Sequence, residues 1–145
     1  MGYMIQLSPQ PQIQAILHNS STIAVVGLSP KPTRPSHQVA RYLLMAGYQI
    51  IPVNPGHNEI LGQVCYPDLL SVPQHIDIIN IFRRADQVLS IVQDAITKKA
   101  KVIWMQQGIV NEAAAGLAEE HGLAVIMDRC LQIDHQQYFH SPDEV

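Results

Sequence analysis

Ile23-Ala24-Val25-Val26-Gly27-Leu28-Ser29 is the stretch on which the fold turns. An apolar, β-branched run reads as a strand, and it stops at a glycine, which accepts turn geometry with least strain. Pro30-Lys31-Pro32-Thr33-Arg34-Pro35 follows, stiff and carrying two cations, and Ser36 then opens an amphipathic helix. Strand, glycine turn and helix bring backbone N–H groups and the positive end of a helix to one point, which suits a phosphate. Gly27, Lys31, Arg34 and Ser36 are therefore candidate phosphate residues; the alternative reading is a solvated basic loop. The stretch is not a dinucleotide fingerprint. G-x-G-x-x-G needs glycines at 29 and 32, where Ser29 and Pro32 stand.

Working outward, strands and helices alternate steadily. After a loose lead-in up to Gln10, residues 11–18 form a short helix with Ile13, Ile16 and Leu17 on one face. Strand one spans 22–26. The helix over 36–46 buries Val39, Tyr42, Leu43 and Ala46, and Gly47 stops it. Strand two spans 48–53 and ends in the turn signal Asn54-Pro55-Gly56. A meandering connection carries Gly62, Cys65 and Tyr66, and Asp68 caps a short turn of helix at Leu69-Leu70. Strand three spans 76–82, apolar enough to be covered on both faces. A helix over 86–98, strand four over 101–105, a helix from the N-cap Asn111 to His121, strand five over 123–127 and a last helix from Leu131 to about Tyr138 complete the chain. This is α/β: a Rossmann-like, doubly wound sandwich with a five-stranded parallel sheet, expected in the order 3-2-1-4-5. It forms one domain over 1–145, with its core over about 20–136.

In such a sheet ligands sit at the carboxyl ends of the strands, near the switch point, here expected between strands one and four. Four loops converge there: 27–35, 53–56, 82–86 and 106–110. At the end of strand two, Pro52-Val53-Asn54-Pro55 offers no carboxylate for ribose hydroxyls, as an NAD enzyme would. Its stiff extended backbone suits the border of an adenine ring, or a plain structural turn. Phe82-Arg83-Arg84 places an aromatic ring beside two guanidiniums, a pairing that suits a purine and a phosphate. Arg83 leads because it is nearer the strand; the alternative has one Arg paired with Asp86 and the other solvated. Gln106 and Gly108, after strand four, line the polar arm of a ligand or simply shape a loop.

Composition bounds the rest. The 145 residues are 47% hydrophobic and 14% charged, a globular balance. A net charge of -3 and a pI near 6.1 argue against a nucleic-acid surface. No apolar run reaches the length of a membrane span, and no export signal opens the chain, so a cytoplasmic setting is expected. Two cysteines, Cys65 and Cys130, make no disulfide framework. Cys130 reads as a packed thiol, with a reactive one as the alternative. Seven histidines (His18, His37, His57, His75, His121, His135, His140) show no metal spacing, and neither a nucleophile elbow nor a Walker sequence is present, so no catalytic or metal-ligating residue is assigned.

Several runs together carry a resemblance. They are Val25-Val26-Gly27-Leu28-Ser29; Pro35-Ser36 with Val39-Ala40-Arg41-Tyr42-Leu43; Gly47-Tyr48 with Ile50 and Pro52-Val53-Asn54-Pro55; and Gly62. Further on they are Asp77-Ile78-Ile79-Asn80-Ile81-Phe82-Arg83-Arg84; Lys101-Val102-Ile103-Trp104-Met105-Gln106 with Gly108; and Val125-Ile126-Met127-Asp128-Arg129-Cys130. Over about 20–136 the chain resembles the small stand-alone CoA-binding proteins, whose domain is similar to the CoA-binding part of the succinyl-CoA synthetase α subunit. The resemblance implies CoA or an acyl-CoA across the switch point. Gly27, Ser29, Lys31 and Arg34 would face its phosphates, Pro52, Val53 and Asn54 would border its adenosine, and Phe82, Arg83, Gln106 and Gly108 would complete the pocket. The synthetase also needs a phosphohistidine domain and a partner subunit, for which 145 residues leave no room, so ligase chemistry is not expected. The alternatives are an NAD(P)-linked or acyl-CoA-handling enzyme, and a regulatory or scaffolding protein that responds to CoA.

Overall fold

The structure, a computed structural model, describes residues 10–139. The expected lead-in falls outside them apart from Gln10, which opens the first helix. In chain order the elements are α1 (Gln10–Asn19), β1 (Thr22–Val26), α2 (Pro35–Met45), β2 (Gln49–Val53), β3 (Glu59–Ile60), β4 (Gln63–Val64), a 3-10 turn (Leu69–Ser71), β5 (Ile78–Ile81), a 3-10 turn (Ala85–Gln87) running into α3 (Val88–Thr97), β6 (Val102–Met105), α4 (Glu112–Glu120), β7 (Ala124–Ile126) and α5 (Leu131–Tyr138).

Five strands form one parallel sheet in the order β2-β1-β5-β6-β7. Every residue of β1, β5 and β6 is buried, because helices cover both faces. On one face Ala24, Ile51, Ile79, Ile81, Ile103 and Met105 meet Val88, Val92 and Ala95 of α3 and Ala114 and Ala118 of α4. On the other Ile23, Val25, Ile50, Ile78 and Trp104 meet Ile13 and Leu17 of α1, Val39, Ala40 and Leu43 of α2 and Leu131 of α5. Alternate residues of each strand thus serve opposite layers.

The strand order corrects the sequence expectation. Counting only the five strands of the main sheet, the observed order is 2-1-3-4-5, not 3-2-1-4-5. The place beside strand two that was assigned to strand three is taken by an isolated parallel bridge, Val53 to Tyr66. Tyr66 N–H donates to the Pro52 carbonyl (3.0 Å) and Asn54 N–H donates to the Tyr66 carbonyl (2.9 Å), and pairing stops there. The chain then crosses under β1 and lays β5 on its far side. Asp77 pins that placement: its carboxylate accepts the N–H groups of Ser21 (2.8 Å) and Thr22 (3.2 Å) at the start of β1. Pro52 is the physical reason strand two cannot be central. It has no N–H to give, and prolines in sheets keep to edges. The winding therefore reverses between β1 and β5, and the crevice opens there rather than between strands one and four.

Candidate functional site

At the carboxyl end of β1, Gly27 adopts φ +91°, and a Cβ placed on it would stand 2.6 Å from the Phe82 carbonyl oxygen. Glycine is thus required both by backbone angle and by the close approach of β1 to β5. Gly27 N–H donates to the Val53 carbonyl (2.9 Å), tying the end of β2 to the same point.

The loop that follows is held by its own polar groups. Ser36 Oγ accepts the Ser29 N–H (3.0 Å), Ser29 Oγ accepts the Lys31 N–H (3.1 Å), and His37 Nδ1 donates to the Ser29 carbonyl (2.9 Å). Ser36 and His37 are buried. Pro35 occupies the first turn of α2 and Arg34 the N-cap, with no side-chain cap, so the positive end of the helix is left uncovered by a side chain. Lys31 and Arg34 are exposed, and neither enters an ion pair among the described residues.

Asn54 joins three loops. Its Nδ2 donates to the Leu28 carbonyl (2.8 Å), and its Oδ1 accepts from Arg83 Nη2 (3.4 Å). Pro52 and Val53 are buried within β2, their carbonyls taken by Tyr66 and Gly27. The two arginines after β5 differ sharply. Arg84 is exposed and pairs with exposed Asp86 (3.6 Å). Arg83 is half-buried with no carboxylate partner among the described residues. A partly desolvated guanidinium without a counter-ion is an anion site in waiting.

Two clefts flank this arginine. One, about 520 Å³, is lined by Pro35, Phe82, Arg83, Arg84, Gln106, Gln107 and Ile109. The other, about 360 Å³, lies toward α3, walled by Val26, Val53, Pro55, Pro67, Leu69 and Ile91, with Asp68 and Asp94 among its polar groups. Burial pushes the Asp94 carboxyl above its ordinary range, and the charge of Asp68 adds to the effect. Sequence reasoning had not reached Asp68 or Asp94 as lining residues. Their positions depend on the correct placement of β5.

The loop after β6 is latched. Gly108, at φ +88°, donates its N–H to Asp128 Oδ1 (2.6 Å), and Asp128 itself sits at φ +62°. Trp104 Nε1 donates to the Arg129 carbonyl (2.9 Å), while the Arg129 guanidinium grips the buried Asp134 by two bonds of 2.8 Å. Cys130, half-buried, packs against the core on the α2 and α5 face. Thus Phe82, Arg83 and Gln106 share one cleft, Val53 and Arg83 the other, and Gly27 lies against the backbone between them. Ser29, Asn54 and Gly108 hold the loops, Lys31 and Arg34 are exposed and line neither cleft, and Pro52 lies within the sheet.

Away from this end, His135 is buried against Tyr42, whose hydroxyl lies 2.7 Å from Nδ1, and stacks on Phe139. His140 lies outside the described residues. Among the described residues no group of three or more His, Cys, Asp or Glu side chains could hold a metal, and no helix is long and apolar enough to cross a membrane.

Comparison with known proteins adds the family. The profile described as a CoA binding domain matches residues 21–136. The chain is 43% identical over 131 residues to the uncharacterized protein YneT of Bacillus subtilis (strain 168), covering 90% of this chain and 97% of that one. It is 26% identical over 119 residues to the ADP-forming acetate–CoA ligase I of Archaeoglobus fulgidus, spanning 75% of this chain but only 17% of the ligase. A solved structure of a hypothetical protein from Pyrococcus horikoshii OT3 superposes with a TM-score of 0.88 at 38% identity, over 92% of this chain and 94% of that one. With the profile covering most of its length, the chain belongs to the CoA binding domain family.

Proposed function

We propose that this chain holds CoA or an acyl-CoA across the crevice between β1 and β5, as a binding module rather than an enzyme. The observation that carries the reading is Arg83, a half-buried cation without a carboxylate partner that lines both clefts. The diphosphate lies over Arg83, the Gly27 turn and the open end of α2, with Lys31 and Arg34 as exposed cations. The adenosine enters the cleft toward α3, between Val53, Pro55 and Leu69, where Asp68 and Asp94 suit the hydrogen-bond donors of a base. The arm enters the larger cleft, where Gln106 and Gln107 match its amides and Phe82 and Ile109 its methylenes. Ser29, Ser36, His37 and Asn54, the polar groups nearest the phosphate turn, bind one another and the loop backbone, which favours a rigid cradle over proton transfer. The thiols of Cys65 and Cys130 are free, which suits the cytoplasm.

Calorimetric titration with CoA, acetyl-CoA, NAD and NADP tests the reading. CoA or acetyl-CoA binds, and NAD and NADP bind far more weakly because Asn54 stands where a ribose carboxylate would. Tighter binding of NAD than of CoA overturns it.

A further inference from the structure

Asn80 is a polar residue in a strand that otherwise reads Ile78, Ile79 and Ile81. It is 0% exposed, pairs in register with Val25 of β1 and Trp104 of β6, and carries an Oδ1 with no hydrogen-bond partner. A buried acceptor left unsatisfied is destabilising, and an isoleucine here would remove the penalty. Its Nδ2 donates to Gln106 Oε1 (3.4 Å), which also accepts the Leu131 N–H (3.5 Å).

These contacts, at 3.4 and 3.5 Å, assign one orientation to both amides. The Leu131 N–H is a backbone donor that cannot be reversed, so the group of Gln106 facing it is the oxygen. The group of Asn80 facing that oxygen is then its NH₂, and the Asn80 oxygen is the one left over. With the Gln106 carbonyl turned inward by two donors, its Nε2 remains for the cleft that Gln106 lines.

We infer that Asn80 is a positioning residue: it holds the Gln106 carboxamide with its N–H groups toward the cleft, so that the wall there selects a ligand arm presenting a carbonyl, of an amide or a thioester. The inference rests on the CoA-binding reading. Asn80 does not touch the ligand; it sets the polarity of the group that does. A ligand carbonyl on Nε2 also strengthens both inward bonds, since hydrogen bonds in series polarise one another.

The test compares CoA with adenosine 3′,5′-bisphosphate, which has no arm, by calorimetry on wild type, Asn80→Leu, Gln106→Leu and the double variant. The ratio of CoA to bisphosphate affinity falls about threefold to tenfold in each single variant, the loss expected of one neutral hydrogen bond. The double variant falls no further than Gln106→Leu, because Asn80 acts through Gln106. In wild type the side-chain amide resonances of Gln106 move with CoA and much less with the bisphosphate. Asn80→Val serves if Asn80→Leu fails to fold. An unchanged ratio in the Asn80 variants, or additive losses in the double, overturns the inference and leaves CoA binding intact. Wild type that binds neither ligand overturns the CoA reading and this inference with it.

Discussion

Gly27→Ala is the sharpest perturbation of the crevice. Two costs add. A non-glycine residue at φ +91° carries strain of about 1–2 kcal/mol. The new methyl also meets the Phe82 carbonyl oxygen at 2.6 Å, where ordinary contact begins at 3.4 Å. That neighbour is backbone held by Phe82 N–H to the Val26 carbonyl (2.8 Å), so relief requires the ends of β1 and β5 to part. Overpacking of this kind costs about 1–3 kcal/mol. The variant is therefore less stable by about 2–5 kcal/mol, which for a chain of this size lowers the thermal midpoint by roughly 6–20 °C. Urea unfolding followed by circular dichroism measures it. Gly116→Ala is the control: Gly116 lies inside α4 with nothing within 4 Å of a Cβ, and alanine there stabilises by about 0.5–1 kcal/mol. A Gly27→Ala protein within 0.5 kcal/mol of wild type, with the same denaturant slope, refutes the close-approach reasoning.

Three further outcomes are expected. Arg83→Ala weakens CoA binding by about 1.5–3 kcal/mol, whereas Arg84→Ala, which removes an exposed side chain on the larger cleft already paired with Asp86, changes it by less than about 0.5 kcal/mol; equal losses in two titrations would remove Arg83 from the centre of the site. Arg129→Ala strands the carboxylate of Asp134, whose side chain is 3% exposed, and lowers stability by about 3 kcal/mol in chemical unfolding; a loss below about 1 kcal/mol shows that water reaches Asp134. Burial holds the His135 pKa below its usual value of 6.5. Below about pH 6.5 the unfolded chain therefore gains a proton at this residue that the folded one resists. Its contribution to stability is complete above that pH and is lost as pH falls toward the lower folded pKa. Thermal midpoints between pH 7.5 and 5.5 should decline less steeply in His135→Gln, and parallel curves would assign the decline to other groups.

β1 was legible to the residue, because an apolar run bounded by Thr22 and Gly27 has one reading. Strand three was drawn too long. Ile76 and Phe82 are as apolar as β5 itself, but Asp77 gives its backbone and carboxylate to the start of β1, and ladder pairing ends at Ile81. The short hairpin of β3 and β4 was read as a meander, since two-residue strands carry no periodicity. The strand order failed although Pro52 stood in strand two as a warning of an edge. At the site, the contrast between Arg83 and Arg84 could be drawn in advance from Asp86, two residues beyond Arg84 and within reach of it. Ser36 reads toward a ligand; its hydroxyl oxygen accepts the Ser29 N–H and keeps a proton to donate. The latch from Asp128 to Gly108 joins residues twenty apart, which local patterns do not reveal.

The single bridge at Tyr66 also bears on how copies of this chain meet one another. A bare outer strand is a template: its unpaired N–H and C=O groups can recruit a strand from another molecule and start an aggregate. On the flank of β2 the Pro52 carbonyl is already taken by Tyr66, Asn54 N–H is spent on the same residue, and Pro52 has no N–H to offer. The antiparallel pair of β3 and β4 follows close by, with Ile60 turned into the core. Two hydrogen bonds and one imino acid thus shorten the stretch of β2 that another strand could pair with, at the end nearest the crevice and without a lysine or glutamate in β2.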